Sequence, residues 1–559
     1  MAFRSLLLII LIASLSFAAG AQDDVRLRLP ELGSSADALI SPQEAARYGA
    51  AMLHQMRALH KVLDDPQVNQ YLNDVGYRLV AASADPKQKF TFFVVRDSEI
   101  NAFAAPGGYI GVNAGLITLT RNESELAAVM AHEIGHISQH HLERAFEASK
   151  KDAPLMALVL LGAIAAGSTT RNGGDAGMAV LAGGQGLLAQ KKLNFTRADE
   201  AEADRVGIQT LAQAGYDPEA MADFFQRMED TLRPGSGGIS VPALLQTHPV
   251  TAERISDARA RARVLEKEMA KHPVLPMDQQ QLEDITAPLA FVKDPTQLVP
   301  HQGNGDPPDH SFSQFTLMRE RVRVLTGDDN QLLGYYAKNF PRKDFDTAYN
   351  HYGYALDLIE TGQPGKALGQ LKPLLEHHPQ SMALRLAMAQ ALFQNGQRKA
   401  AFARYAKMHD DAPDNHAVTQ AYAGALTQAG SRAQAGKAEA MLRPLLDDSE
   451  DPDLYQNYAR ASEEAGKPVR AGEAFAYASY LSGRPFDAMQ QFRRLLNRHG
   501  LDYYQRARIQ SHIAELTPLL MELRKRHVDT PDHHESSDSS DLGQDGVTQS
   551  GLCLAKSCS

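Results

Sequence analysis

The sequence has little of what would place it among disulfide-bonded or nucleic-acid-binding proteins. It has two cysteines and no tryptophan in 559 residues. Cys553 and Cys558 lie at the C-terminal end and cannot crosslink a core, so we interpret them as tail features. A small closed loop or a bond to a partner chain is the alternative. The net charge is −10, and no basic stripe is interleaved with aromatic residues, so no nucleic-acid partner is expected.

Long hydrophobic runs are few, and the first of them lies near the N-terminus. Arg4 precedes an apolar run from Leu6 to Phe17, and Ala19-Gly20-Ala21 follows it. A charged start, a short apolar segment and an A-x-A-like site are typical of a secretory signal peptide, which we predict over residues 1–21. An uncleaved anchor is the alternative. No later run reaches the roughly 18 residues that a membrane-spanning helix needs.

The chain does have enough hydrophobic residues, 43%, for two or three packed domains. Apolar spacing, capping signals and β-branched runs indicate where the first helices and strands lie. The predicted elements are helices over 42–82, 122–148, 196–213 and 218–232, a helix that follows His248-Pro249 and runs through Arg254 to about 271, and strands over 90–95, 101–105 and 109–112.

The most informative stretch is His132-Glu133-Ile134-Gly135-His136. Residues four apart lie on the same face of a helix, so both imidazoles can reach one metal ion. Glu133 can then take a proton from a water molecule that the metal activates. A catalytic zinc site needs three protein ligands and one open position, and His132 and His136 supply two of the three. We expect one Zn²⁺ per chain.

The third ligand is expected from the segment Glu200-Ala201-Glu202-Ala203-Asp204. Glu200 and Asp204 lie four residues apart on one helix face, whereas Glu202 points away. We predict that Glu200 binds the metal, because Asp204 can then accept the ring N–H of a ligating histidine. Glu202 is the alternative. His140 and His141 lie a further turn along the first helix and are interpreted as surface residues.

From about residue 345 the sequence becomes repetitive. Gly362, Gly396 and Gly430 are spaced by 34 residues, and Pro379 and Pro413 repeat that spacing. Each glycine ends one helix and a second helix follows, which is the tetratricopeptide pattern. Three to four such units can share a continuous core and present a concave face that binds protein.

These observations predict a mainly α protein, in which a zincin-like metalloprotease domain with a small β-sheet precedes an α-solenoid of tetratricopeptide repeats. The predicted boundaries are a signal peptide over 1–21, a zinc metalloprotease domain over 22–272, a connector over 273–340, a repeat domain over 341–515 and a disordered tail over 516–559. The apolar segment 154–167 is interpreted as a buried helix of the protease domain. A mobile hairpin that touches membrane or unfolded substrate is the alternative.

Four motifs together carry a resemblance to a known family. They are Asn101 to Gly108, His132 to His136, Glu200 to Asp204, and Thr247-His248-Pro249 with Arg254. Their order and spacing resemble metalloprotease family 48, which includes prenyl-protein endoproteases and membrane quality-control proteases. With the repeats, the resemblance covers nearly the whole mature chain, and the combination of motifs is far more specific than any one of them.

The resemblance implies a role for each matching residue. The zinc ligands would be His132, His136 and Glu200, the general base and acid Glu133, and the residue supporting the ligands Asp204. His248 and Arg254 match the family's downstream His and Arg, which lie near the site and can steady the developing oxyanion. His248 could instead be a fourth zinc ligand that holds the enzyme inactive until it is displaced, or a helix-entry residue with no chemical role.

The resemblance also implies a setting. A signal peptide and C-terminal tetratricopeptide repeats make this chain similar to the family members that act on outer-membrane proteins. We therefore expect a periplasmic zinc endopeptidase that degrades misfolded or stalled outer-membrane proteins and assists their assembly. The implied partners are the outer-membrane β-barrel assembly machinery, immature β-barrel proteins and unfolded polypeptide, with peripheral membrane contact as a further alternative. Substrate is expected to pair as a strand along Tyr109 to Val112. The competing hypothesis is a chaperone or scaffold with a latched or dispensable protease site.

Overall fold

The computed structural model describes residues 41–148, 195–231, 242–271, 312–447 and 449–525. The described chain is mainly helical with one small sheet, so the predicted fold class is confirmed. The predictions for residues 1–21, for segment 154–167 and for Cys553 and Cys558 lie outside the described residues. Within them, no helix is both long enough and apolar enough to cross a membrane.

The first part of the chain, through residue 271, packs helices around a three-stranded sheet. Side-chain caps start several of these helices: Ser41 and Glu44 form a capping box before the first one, and Thr196 and Asp199 form another. The elements are α1 (Pro42–Ala58), α2 (Pro66–Ala81), β1 (Thr91–Val95), β2 (Ala102–Ala105), β3 (Tyr109–Asn113), α3 (Ala114–Leu119), α4 (Glu123–Ser138), α5 (His141–Ala148), α6 (Arg197–Gln213), α7 (Glu219–Thr231), α8 (Ala243–Thr247) and α9 (Ala252–Lys271).

The sheet has the order β1-β3-β2, so β3 is its central strand. It pairs in parallel with β1 and antiparallel with β2, through a turn in which Gly107 and Gly108 have φ of 79° and 85°. The expectation that substrate pairs along Tyr109 to Val112 is therefore wrong, because both sides of that strand are already bonded. Among the described residues, the outer side of β2 has no partner strand, and β2 packs against α4.

The helix predicted over 122–148 is interrupted. It ends at Ser138, His140 adopts a left-handed conformation with φ of 55°, and a new helix begins at His141. Such a conformation is uncommon outside glycine, although histidine is among the residues that adopt it more often. The break reorients the chain so that His141 becomes buried while His140 stays exposed. The surface interpretation is therefore right for His140 and wrong for His141.

Helices α4 and α6 approach each other closely because small residues face each other at their contact. A Cβ atom placed on Gly135 would lie 3.1 Å from the carbonyl oxygen of Ala203, and one on Gly207 would lie 3.1 Å from that of Ala131. Side chains of ordinary size would hold the two backbones further apart. This close contact brings the acidic residues of α6 to the histidines of α4.

The second part of the chain is a stack of helices. Gly362, Gly396, Gly430 and Gly466 each follow the first helix of a pair and have φ between 73° and 78°, and this repeated turn accounts for the 34-residue spacing of the first three. The helices are α10 (Gln314–Thr326), α11 (Asp329–Asn339), α12 (Ala348–Glu360), α13 (Pro364–His377), α14 (Met382–Gln394), α15 (Arg398–Asp411), α16 (His416–Gln428), α17 (Arg432–Leu442), α18 (Pro452–Glu464), α19 (Pro468–Leu481), α20 (Pro485–Leu496) and α21 (Tyr503–Lys525).

Two predicted segments contain more structure than expected. The connector predicted over 273–340 includes helices α10 and α11, and α21 continues past residue 515 into the predicted tail. Helix α10 forms because Ser313 and Thr316 make a capping box and because Phe315, Leu317 and Val322 are buried against both parts of the chain. The helix was not predicted because the whole segment was assigned as a connector from its proline-rich composition before residue 310.

The two parts of the chain share an interface. Arg321 on α10 makes two hydrogen bonds to Asp65, the residue that caps α2, at 2.6 and 2.8 Å. The ring of His54 on α1 lies edge-on to Tyr480 on α19, with centroids 4.8 Å apart. Helix α16, the first helix of its repeat, packs against α2. The protease part therefore covers some of the repeat surface that was expected to bind partners.

Candidate metal centre

Four buried side chains converge between α4, α6 and the end of α8. His132 and His136 come from α4, Glu200 from the first turn of α6, and His248 follows α8. The Nε2 atoms of the two α4 histidines lie 3.0 Å apart, and each lies 3.5 Å from a Glu200 carboxylate oxygen. The Nδ1 of His248 lies 2.8 Å from Glu200 Oε1 and 3.3 Å from His132 Nε2.

These separations fit a small tetrahedral metal ion. Ligand atoms about 2.1 Å from zinc lie roughly 3.4 Å apart along each edge of the tetrahedron. The five distances among the three imidazole nitrogens and the two Glu200 carboxylate oxygens fall between 2.8 and 3.5 Å. Two or three imidazole nitrogens with one carboxylate oxygen form a donor set that suits zinc. The residues therefore fit the expected metal, and Glu200 lies in the cluster while Glu202 does not.

Asp204 holds the first of the histidines. Its Oδ1 lies 2.9 Å from His132 Nδ1, on the side of the ring that faces away from the cluster. A carboxylate at this position fixes the tautomer that leaves Nε2 free for a metal. Burial disfavours a charged imidazole, but hydrogen bonds to Asp204 and Glu200 outweigh it and raise the pKa of His132 to about 10.

Arg254 on α9 binds the two carboxylates rather than facing an open space. Its Nε and Nη2 donate to Asp204 at 2.7 and 2.8 Å, and its Nη1 lies 2.9 Å from Glu200 Oε2 and donates to the carbonyl of Pro249 at 2.8 Å. All three guanidinium nitrogens are therefore engaged. This geometry orients Glu200 and Asp204 and differs from that expected of a free oxyanion donor.

Glu133 is fully buried beside the cluster. Neither of its carboxylate oxygens has a hydrogen-bond partner among the described residues, although His248 Nε2 lies 3.6 Å from Oε1. A buried carboxylate without hydrogen bonds is costly unless something polar completes its surroundings. A water molecule held at the cluster would do so, and this is the position that a general base requires.

Two residues near the cluster, Phe195 and His141, were not identified from the sequence as parts of the site, and Glu202 was named only as the alternative metal ligand. The ring of Phe195 stacks on His136 with centroids 3.9 Å apart and excludes water from that side. His141 contacts His136, and Glu202 contacts His141. Burial lowers the pKa of His141, which favours the neutral ring. The only sequence signal for His141 is its place five residues after His136, and its contact depends on the turn at His140.

The comparisons with known proteins agree with this geometry. Residues 66–262 match peptidase family M48, a span that includes every residue of the cluster. The chain is 30% identical to the beta-barrel assembly-enhancing protease of Yersinia pestis over 502 residues, which cover 89% of this chain and 93% of that relative.

Other relatives match over shorter spans. A beta-barrel assembly-enhancing protease of Vibrio cholerae is 40% identical over 257 residues, 46% of this chain and 52% of the relative. A mitochondrial metalloendopeptidase of Schizosaccharomyces pombe is 32% identical over 185 residues, 33% of this chain and 50% of the relative. The chain thus spans about half the length of these two relatives and nearly all of the Yersinia protein. It belongs to peptidase family M48 and is a metalloendopeptidase related to the beta-barrel assembly-enhancing proteases.

Proposed function

We propose that this protein is a secreted, zinc-dependent endopeptidase of the periplasm, which degrades misfolded or stalled outer-membrane proteins and assists their assembly. The observation that carries the proposal is the buried cluster of His132, His136, Glu200 and His248, beside which the Glu133 carboxylate makes no hydrogen bond to the described residues. The names of the bacterial relatives support the substrate class. In this proposal, residues 1–21 are a signal peptide and residues 22–272 form the protease domain.

The residues of the site divide the work of peptide hydrolysis. A bound zinc ion supplies a Lewis acid and lowers the pKa of water toward about 7. Glu133 accepts the proton of the attacking water and later donates it to the nitrogen of the leaving amine. Asp204 and Arg254 hold His132 and Glu200 in place, so that the ligands do not rearrange during the reaction.

The position of His248 favours a latch over an oxyanion donor. Its Nδ1 lies among the ligand atoms, closer to Glu200 than either histidine of α4 does. As a fourth ligand it would fill the position that a catalytic site keeps open for water. The enzyme would then be inactive until His248 moves, which suits a protease that must spare correctly folded neighbours.

Substrate would bind along the outer side of β2, residues Ala102–Ala105. This strand has a free edge among the described residues and packs against α4, which carries the histidines. Main-chain pairing at such an edge makes little demand on side chains. It would therefore accept many unfolded sequences, as a quality-control protease requires.

The repeat helices would bring clients and the β-barrel assembly machinery to the protease. Stacked helix pairs form extended surfaces that bind protein chains. Because α16 packs against α2, the surfaces open to partners would lie on the units that do not touch the protease part. Segment 154–167 would make the peripheral membrane contact, if the protein makes one.

The test uses the purified mature chain with an unfolded outer-membrane barrel protein as substrate. We expect one zinc ion per chain by elemental analysis, and cleavage that a chelator abolishes. Glu133→Gln should retain the zinc and lose roughly 10²- to 10⁴-fold in kcat/KM, because the general base is gone. Purified protein that binds no zinc would contradict the proposal.

The same variant separates the protease from the scaffold alternative. If a strain that carries Glu133→Gln assembles its outer membrane as well as the wild type under stress, the repeats carry the function and the protease site is dispensable. His248→Ala separates the two roles of that residue. Higher peptidase activity than wild type supports the latch, and lower activity supports the oxyanion role.

A further inference from the structure

The two α4 histidines of the metal centre are supported in different ways. The outer ring nitrogen of His132 faces the Asp204 carboxylate directly, at 2.9 Å. The outer ring nitrogen of His136 faces another imidazole: its Nδ1 lies 2.8 Å from the Nδ1 of His141. A hydrogen bond this short between two ring nitrogens requires that one donates and the other accepts.

His141 is itself held by carboxylates from α6. It is 1% exposed, and its Nε2 lies 3.2 Å from Glu202 Oε2 and 3.8 Å from Asp199 Oδ1. Arg144, one turn along α5, donates to both of these carboxylates at 3.0 and 3.1 Å. His141, Asp199 and Glu202 could be read as a second cation site. The guanidinium of Arg144 already supplies the positive charge there.

The chain of contacts allows one arrangement of protons for neutral rings. An ionised Glu202 can only accept, so His141 Nε2 must carry its proton and donate it. The Nδ1 of His141 is then the acceptor, and His136 Nδ1 must donate to it. The remaining nitrogen of His136, Nε2, has its lone pair directed at the cluster. The opposite tautomer would place a proton on Nε2 and prevent metal binding.

We propose that His141, oriented by Glu202, is a positioning residue that fixes the ring and the tautomer of His136 for metal binding. The inference rests on the proposed metal site and adds a relayed histidine that links His136 to an acidic residue on α6. It also gives Glu202 a role, as the residue that sets the relay. The left-handed turn at His140 is what lets His141 face inward.

A matched set of variants tests the relay through zinc affinity, measured by competition with a chromophoric chelator. The amide of asparagine can place an oxygen where His141 Nδ1 lies, whereas glutamine reaches the position of Nε2 and leaves the Nδ1 position empty. His141→Gln should therefore weaken zinc binding about 10- to 100-fold, the usual loss when a ligand's supporting partner is removed. His141→Asn should retain most of the affinity.

His140→Asn is the control, because it removes the neighbouring exposed histidine and asparagine tolerates the left-handed turn. We expect its zinc affinity to equal that of the wild type. Circular dichroism establishes that each variant is folded. If His141→Gln does not fold, Glu202→Ala replaces it in the comparison, since the Glu202 side chain is partly exposed. Glu202→Ala should also weaken zinc binding.

A spectroscopic readout reports the tautomer directly. With Co²⁺ in the site, the ring N–H protons of the ligating histidines shift far outside the normal NMR range, and hydrogen bonding slows their exchange with water. The N–H of His136 should exchange fast in His141→Gln and slowly in wild type and His141→Asn. The N–H of His132, bonded to Asp204, should be unchanged in all of them and is the internal control.

The outcomes separate the relay from the proposed function. Wild-type protein that binds neither Zn²⁺ nor Co²⁺ overturns both. Wild-type protein that binds zinc, with equal affinity and equal N–H exchange in His141→Gln or, in its place, Glu202→Ala, overturns the relay alone and leaves the peptidase intact. Weaker zinc binding in the variants, together with faster N–H exchange at His136 and unchanged exchange at His132, supports the relay.

Discussion

Glycine serves opposite purposes in the two parts of this molecule. In the protease part, Gly135 and Gly207 lie inside helices, where they let α4 and α6 touch backbone to backbone. In the repeat part, Gly362, Gly396 and Gly430 lie after helices, in a left-handed conformation with open space around them. The first use creates one contact on which the metal centre depends. The second use repeats a turn that any unit of the array can supply.

The difference predicts that the two parts will respond differently to substitutions. The protease part concentrates buried charge: Glu133, Glu200 and Asp204 are each less than 5% exposed. The repeat helices bury mainly Ala and Leu, with isolated charged residues such as Glu439. A change in the first part perturbs several partners at once, whereas a change in a repeat should remain local.

The largest expected effect comes from breaking the junction between the two parts. In Asp65→Ala, α2 loses its cap, and Arg321, whose side chain is only 12% exposed, loses the carboxylate that pairs with it. Removing one member of a buried ion pair costs about 3–5 kcal/mol, so we expect a loss of that size in the free energy of unfolding, measured by urea denaturation. The exposed pair of Arg342 and Asp344 is the control. If Asp344→Ala destabilises the protein as much, burial is not what makes the junction strong.

The next effect tests the close contact of α4 and α6. Gly207→Val places methyl groups against the backbone of Ala131 and His132. We expect it to destabilise the protein by about 1–3 kcal/mol, the usual cost of overpacking, and to weaken zinc binding because α6 carries Glu200. Gly369, which lies on a repeat helix with nothing near its Cβ position, is the matched control. Unchanged zinc affinity in Gly207→Val would show that the contact does not position Glu200.

Local signals in the sequence were sufficient for much of this architecture. The H-E-x-x-H spacing, the cap at Thr196 and the period of the repeat glycines depend on residues close in the chain, and each was predictable. The central place of β3 was not, because strand order depends on pairing between distant residues. The contact of His141 with His136 depends on a left-handed turn at His140, which sequence periodicity does not indicate.

At mildly acidic pH a smaller effect is expected, which tests the interface from the protease side. Burial, with Arg57 nearby, lowers the pKa of His54 to about 3. The unfolded chain therefore binds a proton below about pH 6.5 that the folded chain does not, and stability should fall by about 1.4 kcal/mol per pH unit from there toward pH 3. Above pH 6.5 this contribution is fully present. His54→Phe can keep the ring contact with Tyr480.

The measurement for His54 is the free energy of unfolding of wild type and variant at pH 7 and pH 5.5. Other groups titrate in both proteins, so the informative quantity is the difference between them. We expect His54→Phe to lose less stability than the wild type on acidification. Equal losses would mean that the buried imidazole takes up its proton in the folded state.

The smallest effect should have the opposite sign and comes from the repeat part. Gly369 lies in the interior of α13, exposed and with no atom within 4 Å of its Cβ position. Gly369→Ala should therefore stabilise the protein by about 0.5–1 kcal/mol, since alanine loses less backbone entropy in a helix. Gly396→Ala has equally open surroundings but a φ of 78°, so it should destabilise. The pair differs in backbone conformation and hardly at all in packing. If both variants shift the urea midpoint in the same direction, the left-handed turns do not require the repeat glycines. The proposed difference in purpose between these glycines and Gly207 would then be wrong.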